Sequence, residues 1–158
     1  MIGTNLGYSP AVSSYYMNEA ALFLPGAASV VDRTTHEIDV TLEGGVELRL
    51  MVVRRALDPG DTVKARLAEM VAEKDRALHG FSVISLEERA YASIAGLELR
   101  VRYRDEGTVV FQHQLHAAIV TDQGATWIAF HGEADVEHAD LCDRWMAAML
   151  AEVRLRDG

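Results

Sequence analysis

The sequence predicts an α+β fold in which helices pack on a mostly antiparallel β-sheet. Two observations favour this class. First, alternating apolar and polar residues, which are typical of half-buried strands, recur along most of the chain. Second, the apolar residues have helical spacing in two segments, 61–80 and 136–153. Strands therefore come first, followed by one helix, a meander of strands and a final helix, which is an order expected of a sheet covered by helices.

The length favours a single domain. The chain has 158 residues, of which 49% are hydrophobic, enough for one substantial core. Residues 1–13 are rich in Gly, Ser, Asn and Pro and are predicted to form a flexible N-terminal arm. We expect residues 14–156 to form the single domain.

Charge and composition exclude several classes of function. The net charge is −9 without a basic stripe, so nucleic-acid binding is not expected. The single cysteine, Cys142, excludes an internal disulfide framework and is predicted to be a buried structural thiol. There is no secretory signal and no apolar run long enough to insert in a membrane. We therefore predict a cytoplasmic protein.

The hairpin at 34–55 has the clearest strand register. Apolar residues alternate on both sides of the turn Glu43-Gly44-Gly45. A three-residue loop pairs Ile38 with Leu50 and sets Asp39 opposite Arg49, so pattern and turn length agree.

The helices and the remaining N-terminal strands follow from local signals. Tyr15–Leu24 is predicted to be a short strand pair, and Asp61 is the predicted N-cap of the first helix. Gly80 suits a left-handed position at that helix's C-terminus. The predicted buried helical residues are Val63, Leu67, Met70, Val71 and Leu78 in the first helix, and Leu141, Cys142, Trp145 and Met149 in the second.

The strand Leu97–Arg104 alternates cleanly, with Leu97, Leu99, Val101 and Tyr103 predicted to face the core. The loop that follows decides its pairing. A two-residue loop would bring Gln112 and Gln114 into the core. We therefore predict a three-residue loop, 105–107, which pairs Val101 with Phe111 and leaves Arg100 and Arg102 on the face of the two glutamines.

The hairpin Thr108–Ala134 is predicted to have one apolar and one polar face. With a turn at Asp122–Ala125, Ala117 lies opposite Phe130 and Ile119 opposite Ile128 on the apolar face. On the other face His116 lies opposite His131 and Gln114 opposite Glu133. Cross-strand neighbours on one face interact directly, so these polar groups form a candidate site.

A metal site is the first interpretation of these side chains, because two histidines and a carboxylate are a known ligand set. His116, His131 and Glu133 are the candidates. No His or Cys spacing motif supports them, so a polar cross-strand pair is favoured and no metal or other cofactor is expected. A small-molecule or metal-binding domain stays as the alternative function.

Catalysis has no support in the sequence. There is no Gly-x-Ser-x-Gly nucleophile elbow, no Walker loop and no Gly-x-Gly-x-x-Gly fingerprint. We therefore expect a protein that is not an enzyme.

The second face of the sheet is the remaining candidate. It combines polar and apolar side chains, and it either forms a groove for a partner or is covered by a helix or by the N-terminal arm. Both outcomes are open for different parts of the face. The candidate binding residues are Met51, Val53, Gln112, Gln114, His116, Ala118, Trp127 and His131.

Three segments resemble a known family. They are MNEAALFLP (17–25), LMVVRRALDPGDTVKARLAEMVAEKDRALHGFSVI (50–84) and IAGLELRVRYRDEGTVVFQHQL (94–115). The pattern is an N-E-x-x-L-x-L-P opening, a strand ending in a basic pair, a Pro-Gly loop, a helix ending in Gly-Phe and a glutamine-bearing strand. In this order the segments resemble the DcrB-related family, which has a PsbP-like fold and includes the effector-associated (Eag) chaperones of type VI secretion.

The resemblance implies a cytoplasmic, homodimeric chaperone. Its partner would be a secreted effector protein, whose apolar N-terminal transmembrane helices it shields in a groove until loading. Gln114 falls where the family has a groove glutamine, and Val52 or Val53 where it has an apolar residue. Thr35 and Glu37 depart from the apolar residues that such a groove predicts.

Overall fold

The computed structural model describes residues 13–16, 20–33, 36–122 and 124–155. The predicted arm at 1–13 lies outside this part of the chain except for Ser13, and Thr35 lies outside it as well. The strands are β1 (Ser13–Tyr16), β2 (Ala20–Leu24), β3 (Ala27–Arg33), β4 (Glu37–Leu42), β5 (Glu47–Leu57), β6 (Ser82–Ala90), β7 (Ala95–Asp105), β8 (Thr108–Thr121), β9 (Gly124–Asp135) and β10 (Arg154–Leu155). The helices are α1 (Val63–Ala77) and α2 (Ala139–Ala151), and a 3₁₀ turn at Val136–His138 precedes α2.

In the described chain, seven strands form one sheet in the order β3-β4-β5-β9-β8-β7-β6, with every neighbouring pair antiparallel. A smaller sheet has the order β1-β2-β10. The predicted α+β class is confirmed. The strand pair at 15–24 is also confirmed as β1 and β2, whereas β3 was not predicted.

The two helices cover opposite faces of the large sheet. Helix α2 packs with β2 and the sheet around the main core, which includes Leu50, Leu115 and Phe130. We call this side the α2 face. A smaller cluster of Leu67, Leu99, Val101 and Trp127 lies between α1 and the other side, the α1 face. None of the helices described is long and apolar enough to cross a membrane.

The β4–β5 hairpin has the predicted register. Ile38 pairs with Leu50 and Asp39 with Arg49. Arg49 Nε lies 3.2 Å from a Glu37 carboxylate oxygen and 3.4 Å from one of Asp39. These carboxylates therefore have a cation beside them on the outer part of the α1 face.

The N-cap of α1 is Thr62, so the prediction of Asp61 was wrong by one residue. Thr62 has extended backbone, and its Oγ1 accepts a hydrogen bond from the Ala65 N–H at 3.1 Å. The Asp61 carboxylate instead lies 3.5 Å from Arg66 Nη1. Gly80 has the predicted left-handed conformation at φ +65°, two residues after the C-cap Leu78 rather than directly after it.

The predicted three-residue loop between β7 and β8 was wrong. Asp105 pairs with Thr108, and the two loop residues Glu106 and Gly107 have φ values of +48° and +83°. Positive φ at both positions is the type I′ hairpin pattern, whose twist suits antiparallel strands. A one-residue change of register moves every side chain of one strand to the other face.

This change of register rearranges both faces. Gln112 and Gln114 lie on the α1 face together with Leu99 and Val101, while Arg100 and Arg102, predicted beside the glutamines, lie on the α2 face. Glu98, which shares the α2 face with the two arginines, is 1% exposed.

The register of the β8–β9 hairpin differs from the prediction by two residues, because the turn lies one residue earlier in the chain and Thr121 pairs with Gly124. Gln114 lies opposite His131, His116 opposite Ala129 and Ala117 opposite Ile128. The predicted pairs His116–His131, Gln114–Glu133, Ala117–Phe130 and Ile119–Ile128 were therefore wrong. A two-residue shift keeps each side chain on its face, so the predicted polar and apolar faces remain.

Candidate binding cavity

A cavity of about 470 Å³ lies between α1 and the α1 face of the sheet. Seven of the eight predicted binding residues line it, namely Met51, Val53, Gln112, Gln114, His116, Trp127 and His131. Ala118 does not, because it lies further along β8 where the side chain is exposed. The strands β5, β8 and β9 are adjacent in the sheet, which explains how residues far apart in sequence converge.

Helix α1 forms the other wall and has few fully buried side chains. Its only buried residue within the described chain is Leu67. Met70, Val71 and Leu78 are partly buried and line the cavity with the sheet residues Leu99 and Val101. The alternative that a helix covers part of this face is therefore correct, and the cavity lies beneath this helix.

A chain of hydrogen bonds runs along the sheet side of the cavity. His116 Nε2 and Gln114 Oε1 are 2.7 Å apart, and Gln114 Nε2 donates to Gln112 Oε1 at 2.7 Å. Gln112 Nε2 then donates to Glu133 Oε1 at 3.2 Å, and Tyr103 donates its hydroxyl to the same oxygen at 2.8 Å. Side chains at every second position of β8 share a face, which places these three residues in a row.

The direction of this chain is set at its far end. Trp127 Nε1 can only donate, and it lies 3.1 Å from His116 Nδ1. His116 Nδ1 must therefore accept, so Nε2 carries the proton and donates to Gln114. Every donor in the row points towards the Glu133 carboxylate, which accepts at the other end. The two buried glutamines thus have partners, and their burial carries no unpaired-amide cost.

Both cavity histidines are held neutral. Burial lowers the pKa of His116 to about 3, with a smaller effect from His131. Burial also lowers the pKa of His131 to about 4, assisted by the positive charges of Lys74 and Arg55. Within the described residues the His131 side chain makes no hydrogen bond, although its ring lies 5.3 Å from that of His116. A neutral His131 therefore offers one donor and one acceptor to a ligand.

Charged side chains surround the cavity. Arg55 stacks over the Trp127 ring at 5.7 Å, and Arg66 pairs with Asp61 and Glu69. Lys74 on α1 also lines the cavity. The interior thus combines apolar walls, one row of neutral amides and imidazoles, and charges kept to the periphery.

The geometry does not favour a metal at His116, His131 and Glu133. Both ring nitrogens of His116 are already in hydrogen bonds, and Glu133 accepts from Tyr103 and Gln112. Across the described ranges, no group of three or more His, Cys, Asp or Glu side chains is placed to hold a metal ion.

A second polar network, which the sequence did not predict, joins the α2 face to α2. His113 is fully buried, with Nε2 lying 3.0 Å from Glu98 Oε2 and Nδ1 lying 2.8 Å from Asp143 Oδ1. Arg100 bridges the same two carboxylates at 3.0 Å each, and Tyr91 donates its hydroxyl to Glu98. His113 does point away from His116, as the strand alternation predicts.

The carboxylates of this network are stabilised as anions. Burial alone would raise the pKa of Glu98, but the hydrogen bond from Tyr91 and the charges of His113 and Arg100 lower it below its usual value. Burial would also raise the pKa of Asp143, but the hydrogen bonds from His113 and Arg100 lower it. The adjacent Cys142 is fully buried and burial raises its thiol pKa to about 12, as expected of a structural cysteine.

Several residues of α1 and β7 were not predicted to line the cavity. Met70, Lys74, Leu99, Val101 and Tyr103 line it. Their apolar spacing was visible in the sequence, but the wrong β7–β8 register assigned the β7 residues to the opposite face. A two-residue loop would have placed all three β7 residues beside the glutamines.

Comparisons with known proteins identify the fold. No protein-family profile matches the chain, and no curated protein sequence matches it. Solved structures do match it, including the three that follow. LpqN of Mycobacterium tuberculosis, described as involved in cell envelope biogenesis, has a TM-score of 0.64 and 12% identity, covering 95% of this chain and 86% of its own. PA94 of Pseudomonas aeruginosa, described as a protein of unknown function, has a TM-score of 0.62 and 16% identity, covering 93% and 99%.

The third structure is cyanobacterial PsbP (CyanoP) from Synechocystis sp. PCC 6803. Its TM-score is 0.64 at 12% identity, and the match covers 94% of each chain. Identities this low establish the fold alone. The chain has a PsbP-like fold, as the family resemblance implied.

Proposed function

We propose that this chain is a non-catalytic adaptor chaperone of the DcrB-related, Eag type. It binds the apolar N-terminal region of a type VI secretion effector in the cytoplasm, acts as a homodimer and keeps the effector soluble for loading. One observation carries the proposal. Seven of the eight residues chosen from the sequence for cargo binding line a single cavity, in which apolar walls surround a row of neutral hydrogen-bonding groups.

The chemistry of the cavity suits such a cargo. A transmembrane helix has about 20 apolar residues and cannot stay dissolved in water unless another surface covers it. Met51, Val53 and Leu99 supply apolar contact, and His131 supplies a neutral hydrogen-bonding group. Since release must follow binding, burial with few polar contacts is preferable to a site rich in ion pairs.

Of the two departures from the family pattern, Glu37 lies away from this cavity. Glu37 does not line it and is paired with Arg49, and Thr35 lies outside the described residues. The charged outer part of the α1 face therefore does not prevent apolar cargo from binding further inside.

The volume limits how much cargo can enter. A helix with its side chains is about 10–12 Å across, so a cavity of about 470 Å³ takes only a few side chains from one helix face. A complete helix would need α1 to move outward. Such a movement would expose the small cluster of Leu67, Leu99, Val101 and Trp127. It would leave the main core on the α2 face covered.

Co-expression with the effector encoded beside this chain tests the proposal. We expect a stoichiometric complex, and loss of effector solubility when this chain is absent. Val53→Asp should release the cargo, whereas Val120→Asp, placed at an already exposed β8 residue, should not. An effector that is equally soluble without this chain would contradict the proposal. Light scattering of the purified chain tests the homodimer.

A small molecule is the second candidate ligand. A cavity of about 470 Å³ lies within the range of roughly 300–1,000 Å³ that is usual for small-molecule sites. An apolar compound with one hydrogen-bonding group could pack against the apolar walls and form a hydrogen bond with the His131 imidazole. Native mass spectrometry of the purified chain would detect a co-purifying compound, and its loss in Val53→Asp would place it in this cavity.

A further inference from the structure

A second groove lies on the opposite flank of α1. It has a volume of about 660 Å³ and is bounded by α1 on one side and by β6 and β7 on the other. Val71, Phe81 and Leu99 line both this groove and the cavity, so α1 lies between the two spaces. The remaining lining residues are Lys64, Leu67, Ala68, Ala72, Asp75, Val83, Leu86, Glu87, Glu88 and Leu97.

The β6 side of the groove leaves large apolar side chains in contact with water. Val83 is 43% exposed, and Ile84 and Leu86 are each 52% exposed. Apolar residues that cluster beside a groove on the surface of a folded domain indicate an interaction site. Val120, at 78%, is exposed at a separate place near the β8–β9 turn.

The backbone of β6 makes strand addition an unsuitable way to cover this patch. β6 is the edge strand of the large sheet, and its register shifts between Val83 and Ser85. Such a bulge interrupts the hydrogen-bonding edge and is a common protection against strand pairing. It also brings Val83 and Leu86 to the same face of the sheet, beside α1.

The α1 side of the groove favours a helix. Ala68 and Ala72 are one helical turn apart and line the groove. Small side chains on one helix allow a second helix to approach closely, and helices commonly pack at interaxial distances of about 8–10 Å. A helix laid beside α1 would place its apolar face over Val83 and Leu86.

The charges around the groove indicate the sign of the partner's charge. Asp75, Glu87 and Glu88 line it against one cation, Lys64. Within the described chain none of these three carboxylates has an ion-pair partner. Basic side chains on the arriving helix would pair with them and be steered to the groove.

We propose that this groove is a docking site for a basic amphipathic helix of another protein. A second copy of this chain is disfavoured, because a two-fold interface would place the three carboxylates of one copy against those of the other. The site lies on the other side of α1 from the cavity and does not depend on the proposed chaperone function.

A designed peptide tests the site. The probe is a fluorescein-labelled helical peptide of leucine, alanine and lysine, about four turns long with leucine on one face. Its control has glutamate in place of lysine. Fluorescence anisotropy with the purified chain should show saturable binding of the lysine peptide and binding at least about tenfold weaker for the glutamate peptide.

Variants locate the binding. We expect Val83→Ser with Leu86→Ser to weaken the lysine peptide by about tenfold or more, while Val120→Ser leaves it unchanged. Glu87→Lys with Glu88→Lys should weaken the lysine peptide and strengthen the glutamate peptide. Val53→Asp, in the cavity, should have no effect on either peptide, which separates this site from the proposed cargo site.

Three results would overturn the proposal. One is equal binding of both peptides, and another is binding that survives the Val83 and Leu86 substitutions. The third is a wild-type dimer in sedimentation that Leu86→Ser dissociates, since that would assign the groove to a second copy of the chain.

Discussion

Trp127 donates its indole N–H to His116 Nδ1 across 3.1 Å, and this bond determines which His116 nitrogen carries the proton. The bond also couples β9 to β8, because the proton on Nε2 continues the row through Gln114 towards Glu133. A polar row that is satisfied internally can line an apolar cavity at little cost.

Trp127→Phe should remove this donor and leave His116 Nδ1 buried without a partner. We expect the free energy of unfolding to fall by about 1–3 kcal/mol, the usual cost of an unsatisfied buried polar atom plus lost contacts. Urea unfolding followed by circular dichroism measures the change. In ¹⁵N NMR of the wild type, His116 should remain the neutral Nε2–H tautomer down to acidic pH. The opposite tautomer would contradict the assigned direction.

Asp143→Asn should reduce the sensitivity of the fold to acid. In the folded chain the pKa values of Asp143 and Glu98 lie below 3.8 and 4.5, their values in the unfolded chain. The two ionised carboxylates therefore stabilise the fold above these pH values, and this stabilisation is lost as the pH falls through the lower pKa values of the folded chain. The direction of these shifts places the loss between about pH 5 and pH 2. Over this range the variant should lose less stability than the wild type. Asp140→Asn, at an exposed acid on the same helix, should keep the wild-type profile.

His131→Gln should flatten the stability profile at higher pH. A histidine whose pKa falls from 6.5 in the unfolded chain to about 4 in the fold favours unfolding when it is protonated. Its contribution is therefore intact above pH 6.5 and declines as the pH falls from 6.5 towards 4. Unfolding curves across this window should show a smaller decline in the variant. A decline as large as that of the wild type would show that His131 is not desolvated.

Gly96→Ala should be strongly destabilising, because no room exists for a methyl group. An added Cβ would lie 2.0 Å from the backbone oxygen of His116. Since a backbone atom cannot rotate away, β7 and β8 would have to separate, at a cost of about 1–3 kcal/mol or more. Ala95→Ser, at the exposed neighbouring position, serves as the control in thermal unfolding. Equal melting temperatures would contradict the close approach.

The fold was predictable from the sequence where two independent signals agreed. At 34–55 the alternation and the glycine-containing loop both specify one register, and the β4–β5 pairs confirm it. The β8–β9 faces were predicted because a two-residue error leaves them unchanged. Seven of the candidate residues therefore share a cavity although the predicted cross-strand partners were wrong.

The β7–β8 loop was not predictable from hydrophobic pattern alone. Glu106 has a left-handed backbone, which its residue type does not indicate. The correct register buries Gln112 and Gln114, and that burial is acceptable only because each amide belongs to a row of hydrogen bonds running from Trp127 to Glu133. Such a row depends on side-chain contacts between two strands, β8 and β9, which no local sequence signal encodes.

The central claim is that apolar cargo enters the cavity between α1 and the sheet, and ¹⁹F NMR of the chain labelled with 5-fluorotryptophan tests it most directly. The chain has two tryptophans. Trp127 lines the cavity, whereas Trp145 is a buried residue of α2 that donates its indole N–H to Pro25 O at 2.8 Å. Adding the effector's apolar N-terminal segment should shift the Trp127 resonance and leave that of Trp145 in place. A complex that forms without moving the Trp127 resonance would contradict the account.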